Sequence, residues 1–178
     1  MSFEGQTIGI ERGKDTLIAL EKKGDFVFHG SLVLLSGELE PRQAKTLDKH
    51  TGSMINDGEL AVVATPIAEV AIFRAVINNS LRVGGSHWSS FGWDKDGDGT
   101  SVEYKTTKEI FDKSKESKGY VYVFRKEDFH KYGTLEYRAF NKVKPVRIFE
   151  VDFDDLPKNI KFEPFPHESE PSSTIIPS

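Results

Sequence analysis

The chain contains no cysteine, and this absence removes several kinds of chemistry at once. Disulfide bridges, thiolate-ligated zinc sites and a cysteine nucleophile are all excluded. A chain without disulfides has no need of an oxidising compartment for its maturation. Any active centre must therefore be built from oxygen, nitrogen and backbone groups.

Long apolar runs are missing as well. No stretch approaches the roughly 18 apolar residues of a membrane span, and residues 1–15 lack the charged-then-apolar pattern of an export signal. We therefore expect a cytoplasmic protein with no membrane partner. The formal net charge is −4, so we do not expect a surface that coats duplex nucleic acid, which needs clustered lysine and arginine.

The apolar content is sufficient for one core. The chain has 178 residues, of which 37% are hydrophobic, and this bounds it to a single domain. Five of its eight prolines follow Asp155. We expect a folded domain over residues 1–155 and an extended or disordered C-terminal tail over residues 156–178.

Hydrophobic patterning predicts strands in both halves of the chain. Apolar runs rich in β-branched and aromatic residues are typical of buried strands. They are DFVFHGS (25–31), ELAVVAT (59–65), GYVYVF (119–124), TLEYRAF (134–140) and VRIFEVDF (146–153).

Two helices and two loops complete the prediction. ELAVVAT runs through Thr65-Pro66 into IAEVAIFRAVIN, which has helical spacing, and Pro41 suits the first position of another helix. TLIALEKK is either a short helix or part of two short strands. GSMINDGE and residues 78–98 have loop composition. The order of elements predicts an α+β fold with two small, mainly antiparallel sheets and flanking helices.

The HGS triplet closes the first confident strand with polar groups. His29 brings an imidazole, Gly30 a bare backbone against which a flat ligand can lie, and Ser31 a hydroxyl. Together these groups are suited to a carboxamide, which has one donor edge and one acceptor edge. The alternative is a strand-end histidine bonded to a nearby carbonyl.

Two further features offer walls for a site. The Thr65-Pro66 junction leads to Phe73, which either stacks on a heteroaromatic ring or fills the core. In TLEYRAF, strand alternation puts Glu136, Arg138 and Phe140 on one face. Glu136 is either an edge charge or a placed acid.

In this order, the three features resemble the ADP-ribosyltransferase superfamily. The branch that the chain is most similar to has the diphtheria-toxin and poly-ADP-ribose polymerase arrangement. The resemblance covers roughly residues 25–153 and depends most on LEYRAFNKVKPVRIFEV, which is similar to the glutamate-bearing strand pair of those enzymes. It implies two sheets that form a cleft for NAD, which is consumed as a substrate.

The resemblance also implies roles for individual residues. His29 matches the histidine that holds the NAD ribose, Gly30 and Ser31 the positions that grip the nicotinamide carboxamide, Phe73 the second stacking aromatic and Glu136 the catalytic glutamate. The implied activity is glycosyl transfer of ADP-ribose to a protein or nucleic-acid acceptor, as in a bacterial or phage effector. The chain departs from the family in the middle strand, where a tyrosine is replaced by Val62 or Val63.

Arg42 is the first candidate for the NAD pyrophosphate, because a guanidinium fork near a helix start suits two phosphate oxygens. Its alternative is an ordinary surface arginine. Arg74 and Arg138 are weaker candidates for the same role.

The stretch WDKDGDGTSVE partly resembles a calcium-binding loop. Asp94, Asp96 and Asp98 alternate like calcium ligands, but the twelfth position is Lys105 rather than glutamate. A turn rich in Asp and Gly is therefore the favoured interpretation. The alternative is an irregular calcium site that Glu103 completes. The implied reaction requires no metal.

Two alternatives stay open beside the transferase. One is the NAD-dependent RNA 2'-phosphotransferase branch of the same superfamily, for which no second basic motif precedes HGS. The other is a non-catalytic module that binds ADP-ribose or another nucleotide, which the missing tyrosine favours and Glu136 opposes.

Overall fold

The computed structural model describes residues 8–48, 50–51, 53–77, 88–93 and 101–164. Within them lie three α-helices: α1 (Lys14–Lys23), α2 (Ala68–Val76) and α3 (Lys108–Ser114). The strands in chain order are β1 (Ile10–Arg12), β2 (Phe26–Ser31), β3 (Lys45–Leu47), β4 (Met54–Asn56), β5 (Val62–Ala64), β6 (Ser89–Trp93), β7 (Val102–Thr106), β8 (Lys118–Arg125), β9 (His130–Lys131), β10 (Tyr137–Ala139), β11 (Arg147–Asp152) and β12 (Ile160–Phe162). This composition confirms the α+β class.

The predicted number of two sheets is wrong, because the strands form four small sheets in the described part of the chain. The largest has the order β1-β11-β8-β2, with β1 parallel to β11 and the other pairs antiparallel. Sheets of three strands have the orders β5-β10-β9 and β12-β7-β6, and β3 pairs only with β4.

The largest sheet is buried on both faces, which explains its unbroken apolar runs. In β2, Phe28 belongs to one apolar cluster and its neighbour Val27 to the other, and both are 0% exposed. β8 repeats the alternation with Val123 and Phe124. The core therefore lies on both sides of this sheet.

Helix α2 packs directly on β2 and β8. Seven of its nine residues are buried, as expected for a helix inside the core. The close contact depends on Gly30, where an added Cβ would lie 2.0 Å from the Ala71 carbonyl oxygen. The N-terminus of α2 is capped from α1, because the Ala68 N–H donates to Glu21 Oε2 at 2.7 Å.

Several element predictions are confirmed. DFVFHGS and VRIFEVDF contain strands, and ELAVVAT contains β5 and leads into α2 as expected. TLIALEKK is helical, as part of α1.

Others are wrong. No helix begins at Pro41, because residues 45–47 form β3, and the expected loop GSMINDGE contains β4, which pairs with it. Part of the expected long loop is β6, paired with β7.

Residues 156–164, which were predicted to belong to the extended or disordered tail, include a strand. Residues 160–162 form β12, which pairs in parallel with β7, and the Trp88 Nε1–H donates to the Pro164 carbonyl at 3.0 Å. These contacts join residues 156–164 to the domain. Residues 165–178 lie outside the described residues. Along the described ranges, none of the helices has the length and apolar character needed to cross a membrane.

Candidate functional site

One pocket collects several of the predicted site residues. Its volume is about 480 Å³, within the range of ~300–1,000 Å³ typical of small-molecule sites. Its walls come from the end of β2, the β3–β4 hairpin, β5, α2, β6 and the residues before β10. Among the predicted residues, His29, Gly30, Thr65 and Glu136 line it.

Strand β5 explains why His29 and Glu136 meet there. On one side β5 continues into a backbone bridge in which Phe28 and Thr65 exchange hydrogen bonds of 2.8 and 2.9 Å. On its other side, β5 pairs antiparallel with β10, with Tyr137 opposite Ala64. The segment 62–65 therefore lies between the histidine strand and the glutamate strand, and brings two distant parts of the sequence to one pocket.

The imidazole of His29 is held in one tautomer. Nδ1 lies 2.7 Å from the Val63 carbonyl oxygen, and because a carbonyl only accepts, Nδ1 carries the proton. Desolvation by burial lowers the pKa of His29, the Val63 hydrogen bond opposes this, and the charges of Arg74 and Arg42 lower it further. The ring is therefore neutral near pH 7, with Nε2 as its acceptor atom.

Glu136 lies immediately before β10 with its side chain 31% exposed. Its Oε1 accepts a hydrogen bond from Arg138 Nε at 2.5 Å. Among the described residues no hydrogen bond ends at its Oε2, and the residue lines the pocket. Glu136 and Arg138 share a face, as strand alternation predicted.

Arg74 is the cation that α2 brings to the pocket. Its guanidinium carbon lies 5.7 Å from the centre of the Phe91 ring, and it makes no hydrogen bond or ion pair to a described residue. The side chain is exposed to solvent on one side, while desolvation by the surrounding protein lowers its pKa and the Glu136 carboxylate opposes this. An arginine so perturbed stays protonated at neutral pH. Lys45 of β3 adds a second positive charge to the lining.

Phe73 does not line the pocket, so its predicted role as a stacking aromatic is wrong. It is 0% exposed and packs on Tyr104 of β7, with ring centroids 5.0 Å apart. The pocket face of α2 consists of Val70, Ala71 and Arg74, which follow the three-to-four-residue helical spacing. Phe73 lies outside that stripe and fills the core.

Ser31 and Arg42 are also absent from the pocket lining. The Ser31 hydroxyl donates to the Val33 carbonyl at 2.9 Å, within its own turn. Arg42 forms a backbone bridge with Ala61, and its side chain is exposed. The predicted pyrophosphate role of Arg42 rested on a helix start that the structure does not contain.

Phe91, like Lys45, lines the pocket and was not predicted from the sequence. It belongs to β6, in a stretch predicted to be a loop, and its ring is the aromatic surface beside Arg74. The strand pairs residue by residue with β7, from Ser89 opposite Thr106 to Trp93 opposite Val102. The available signal was the pair of aromatic residues at alternate positions of SSFGW.

Asp94, Asp96 and Asp98 lie outside the described residues. Across the part of the chain that is described, no three histidine, aspartate or glutamate side chains form a group able to hold a metal ion. Glu103 instead forms ion pairs with Lys105 and Lys161.

Comparison with known proteins identifies no relative: no family model, curated protein or solved structure matches the chain. The assignment of a function therefore depends on the chemistry of the pocket.

Proposed function

We propose that the protein is an NAD-dependent ADP-ribosyltransferase-like enzyme, which cleaves the nicotinamide–ribose bond and transfers ADP-ribose to a macromolecular acceptor. The observation that carries the proposal is the convergence of His29 and Glu136 on one pocket of dinucleotide-compatible size. The order of motifs in the sequence supports the same conclusion.

The proposed reaction breaks the bond between the ribose C1' and the nicotinamide nitrogen. The electron pair of that bond leaves with nicotinamide, and positive charge develops on the ribose. An acceptor oxygen or nitrogen then bonds to C1' and loses its proton. With water as acceptor, NAD and water give ADP-ribose, nicotinamide and one proton.

Glu136 suits the stabilisation of the developing charge. A fixed carboxylate lowers the energy of a cationic transition state more than that of the ground state. Its Oε2, to which no described residue donates a hydrogen bond, can also accept one from a ribose hydroxyl. The pre-set geometry at Oε1 reduces the reorganisation needed during the reaction.

His29 and the neighbouring backbone suit substrate positioning. A neutral imidazole with its proton on Nδ1 offers Nε2 as an acceptor for a ribose hydroxyl. Gly30 contributes backbone to the pocket wall, and Thr65 lies between the two functional strands. These groups are the candidates for holding the ribose and the carboxamide.

Arg74 replaces Arg42 as the candidate for the pyrophosphate. Its guanidinium lies in the pocket without a hydrogen bond to a described group, and Lys45 supplies a further charge. A guanidinium can bond two phosphate oxygens together. Phe91 offers a ring face for a base.

Nicotinamide release from NAD tests the proposal. Wild-type protein is compared with Glu136→Gln, which keeps the shape of the side chain and removes its charge. We expect a loss of about 10²–10³-fold in kcat, the magnitude seen when one electrostatic stabiliser is removed. Glu150→Gln, which alters a β11 carboxylate paired with Lys118 and Arg12, is the matched control and should retain full activity.

A non-catalytic ADP-ribose module is the second candidate. It is favoured by the burial of Phe73 and by the valines of β5, since both leave the pocket with fewer stacking rings than the family pattern requires. Tight ADP-ribose binding without nicotinamide release would support this module. Nicotinamide release that requires RNA with a 2'-phosphate would instead support the phosphotransferase.

A further inference from the structure

Arg138 is a charged residue in an unusual position. It occupies the middle of β10, and only 1% of its side chain is exposed. Arginine is almost never fully buried without partners, and an ion pair inside a protein is weak evidence for stability because desolvation opposes its attraction. The sequence had suggested Arg138 as a phosphate ligand, which its burial does not allow.

The contacts of the guanidinium point in two directions. Nε–H donates to Glu136 Oε1 at 2.5 Å. On the other side, Nη1 donates to the Asp57 carbonyl at 3.3 Å, and Nη2 lies 3.4 Å from Asp57 Oδ2. The guanidinium carbon lies 3.7 Å from the centre of the Tyr132 ring. The planar group is therefore fixed both at its edges and on its face.

The turn after β4 leaves room for this group. Gly58 has a φ of 68°, and a Cβ at this position would lie 2.2 Å from Arg138 Nη1. Any other residue would therefore strain the backbone and displace the guanidinium. Nη2 is buried without a hydrogen bond that meets normal geometry, which costs stability. The tightest contact of the group is the one to Glu136.

We propose that Arg138 is a positioning residue, which holds Oε1 of Glu136 so that Oε2 stays directed at the ligand in the pocket. This inference rests on the proposed function, because Glu136 must act on a substrate for its orientation to matter. Asp57 and Tyr132 fix the guanidinium, and the guanidinium fixes the carboxylate. Arg138 itself does not touch the substrate.

Arg138→Lys separates the shape of the side chain from its charge. Lysine keeps the positive charge but has no Nε–H fork that can bond Glu136 and Asp57 together. We expect kcat for nicotinamide release to fall by about 10²-fold, the effect of misplacing a reacting group by about 1 Å, while KM for NAD changes by less than about threefold. Arg147→Lys is the matched control, because Arg147 forms a two-point pair with Glu11 at 2.6 and 2.8 Å, away from the pocket lining.

A double-mutant cycle tests whether Arg138 acts through Glu136. If it does, adding Arg138→Lys to Glu136→Gln should cost less than about threefold in residual release, although it costs about 10²-fold in the wild type. Independent, multiplying effects would contradict the inference. So would a fall in activity that Arg147→Lys reproduces, since that would indicate a general effect on stability.

The contact has a readout that does not need activity. The Arg138 Nε–H resonance in ¹⁵N NMR should be protected from exchange, and should shift in Glu136→Gln but not in Glu150→Gln. An unmoved resonance would overturn the inference whatever the activity. If the resonance shifts and no variant, wild type included, releases nicotinamide, then the contact stands and the proposed function fails.

Discussion

Replacing Gly30 with alanine tests how the pocket wall is built. The added Cβ would lie 2.0 Å from the Ala71 carbonyl oxygen and 2.8 Å from the Ala75 nitrogen, whereas ordinary contact begins at 3.4 Å. Both obstructing atoms belong to the α2 backbone, so no side-chain rotation can relieve the overlap. Helix α2 would have to move by more than about an ångström, because interiors are close-packed.

The cost should lie at the upper end of the overpacking range, about 3 kcal/mol. For a domain of this size, 1 kcal/mol corresponds to roughly 2–4 °C, so we expect the Tm to fall by about 6–12 °C. Urea unfolding followed by circular dichroism measures the same loss as a lower midpoint with an unchanged slope.

Two companion variants calibrate this measurement. Gly119→Ala should be similarly destabilising, because its Cβ would lie 2.2 Å from the Ala75 carbonyl oxygen. A Cβ added at Gly92 would have no heavy atom within 4 Å, so Gly92→Ala should change stability by less than about 0.5 kcal/mol. If Gly30→Ala were as stable as Gly92→Ala, α2 would not rest on β2 and the described pocket wall would be wrong.

Three more predictions concern Phe73 in the core, His29 in the pocket and Glu21 at the N-terminus of α2. Phe73→Ala should cost about 3–5 kcal/mol, because it empties a fully buried site beside Tyr104, and any loss of NAD affinity should be explained by unfolded protein. For His29, burial lowers the pKa below the ordinary value of about 6.5, so the unfolded chain binds the proton more readily and stability should fall as pH drops below that value. Urea unfolding from pH 8 to 5 should therefore show a steeper loss for wild type than for His29→Gln. Glu21→Ala removes the cap of α2 and should cost about 1 kcal/mol.

Each of these has a control. Phe73→Leu should recover much of the stability that Phe73→Ala loses. If either variant folded fully but bound NAD more weakly, Phe73 would belong to the binding site. Parallel pH profiles for wild type and His29→Gln would contradict the burial of a neutral imidazole. Lys22→Ala changes an exposed residue of α1 and should lower the free energy of unfolding by less than about 0.5 kcal/mol. If Glu21→Ala lowered it by no more than Lys22→Ala does, Glu21 would not act as the cap.

The parts of the fold that were predictable from sequence are those with both faces buried. β2 and β8 contain unbroken apolar runs because each side of the sheet meets a cluster of the core. β3 and β4 have no such pattern, since they pair only with each other and their described side chains are exposed. Pro41 is a local signal for the start of a helix, but the pairing of β3 with β4 outweighs this local preference.

The site residues at the strand ends were predictable from the sequence, whereas those on the helix were not. His29 and Glu136 stand at places where apolar strands give way to polar residues, and both line the pocket. The α2 sequence is apolar almost all round, so its periodicity identified a helix without showing which side meets the pocket. Phe73 was misplaced for that reason. The partners of Arg138 lie on a distant turn that no local pattern reveals.

The most direct test of the account is a crystal structure of the Glu136→Gln protein, which should cleave NAD slowly, with intact NAD bound. We predict that the ribose next to nicotinamide lies between residues 29 and 136, with its hydroxyls within hydrogen-bonding distance of His29 Nε2 and the residue 136 side chain, and with the pyrophosphate at Arg74. NAD bound elsewhere, or no NAD at a saturating concentration that leaves the protein folded, would contradict the claim that these two strands form a dinucleotide site.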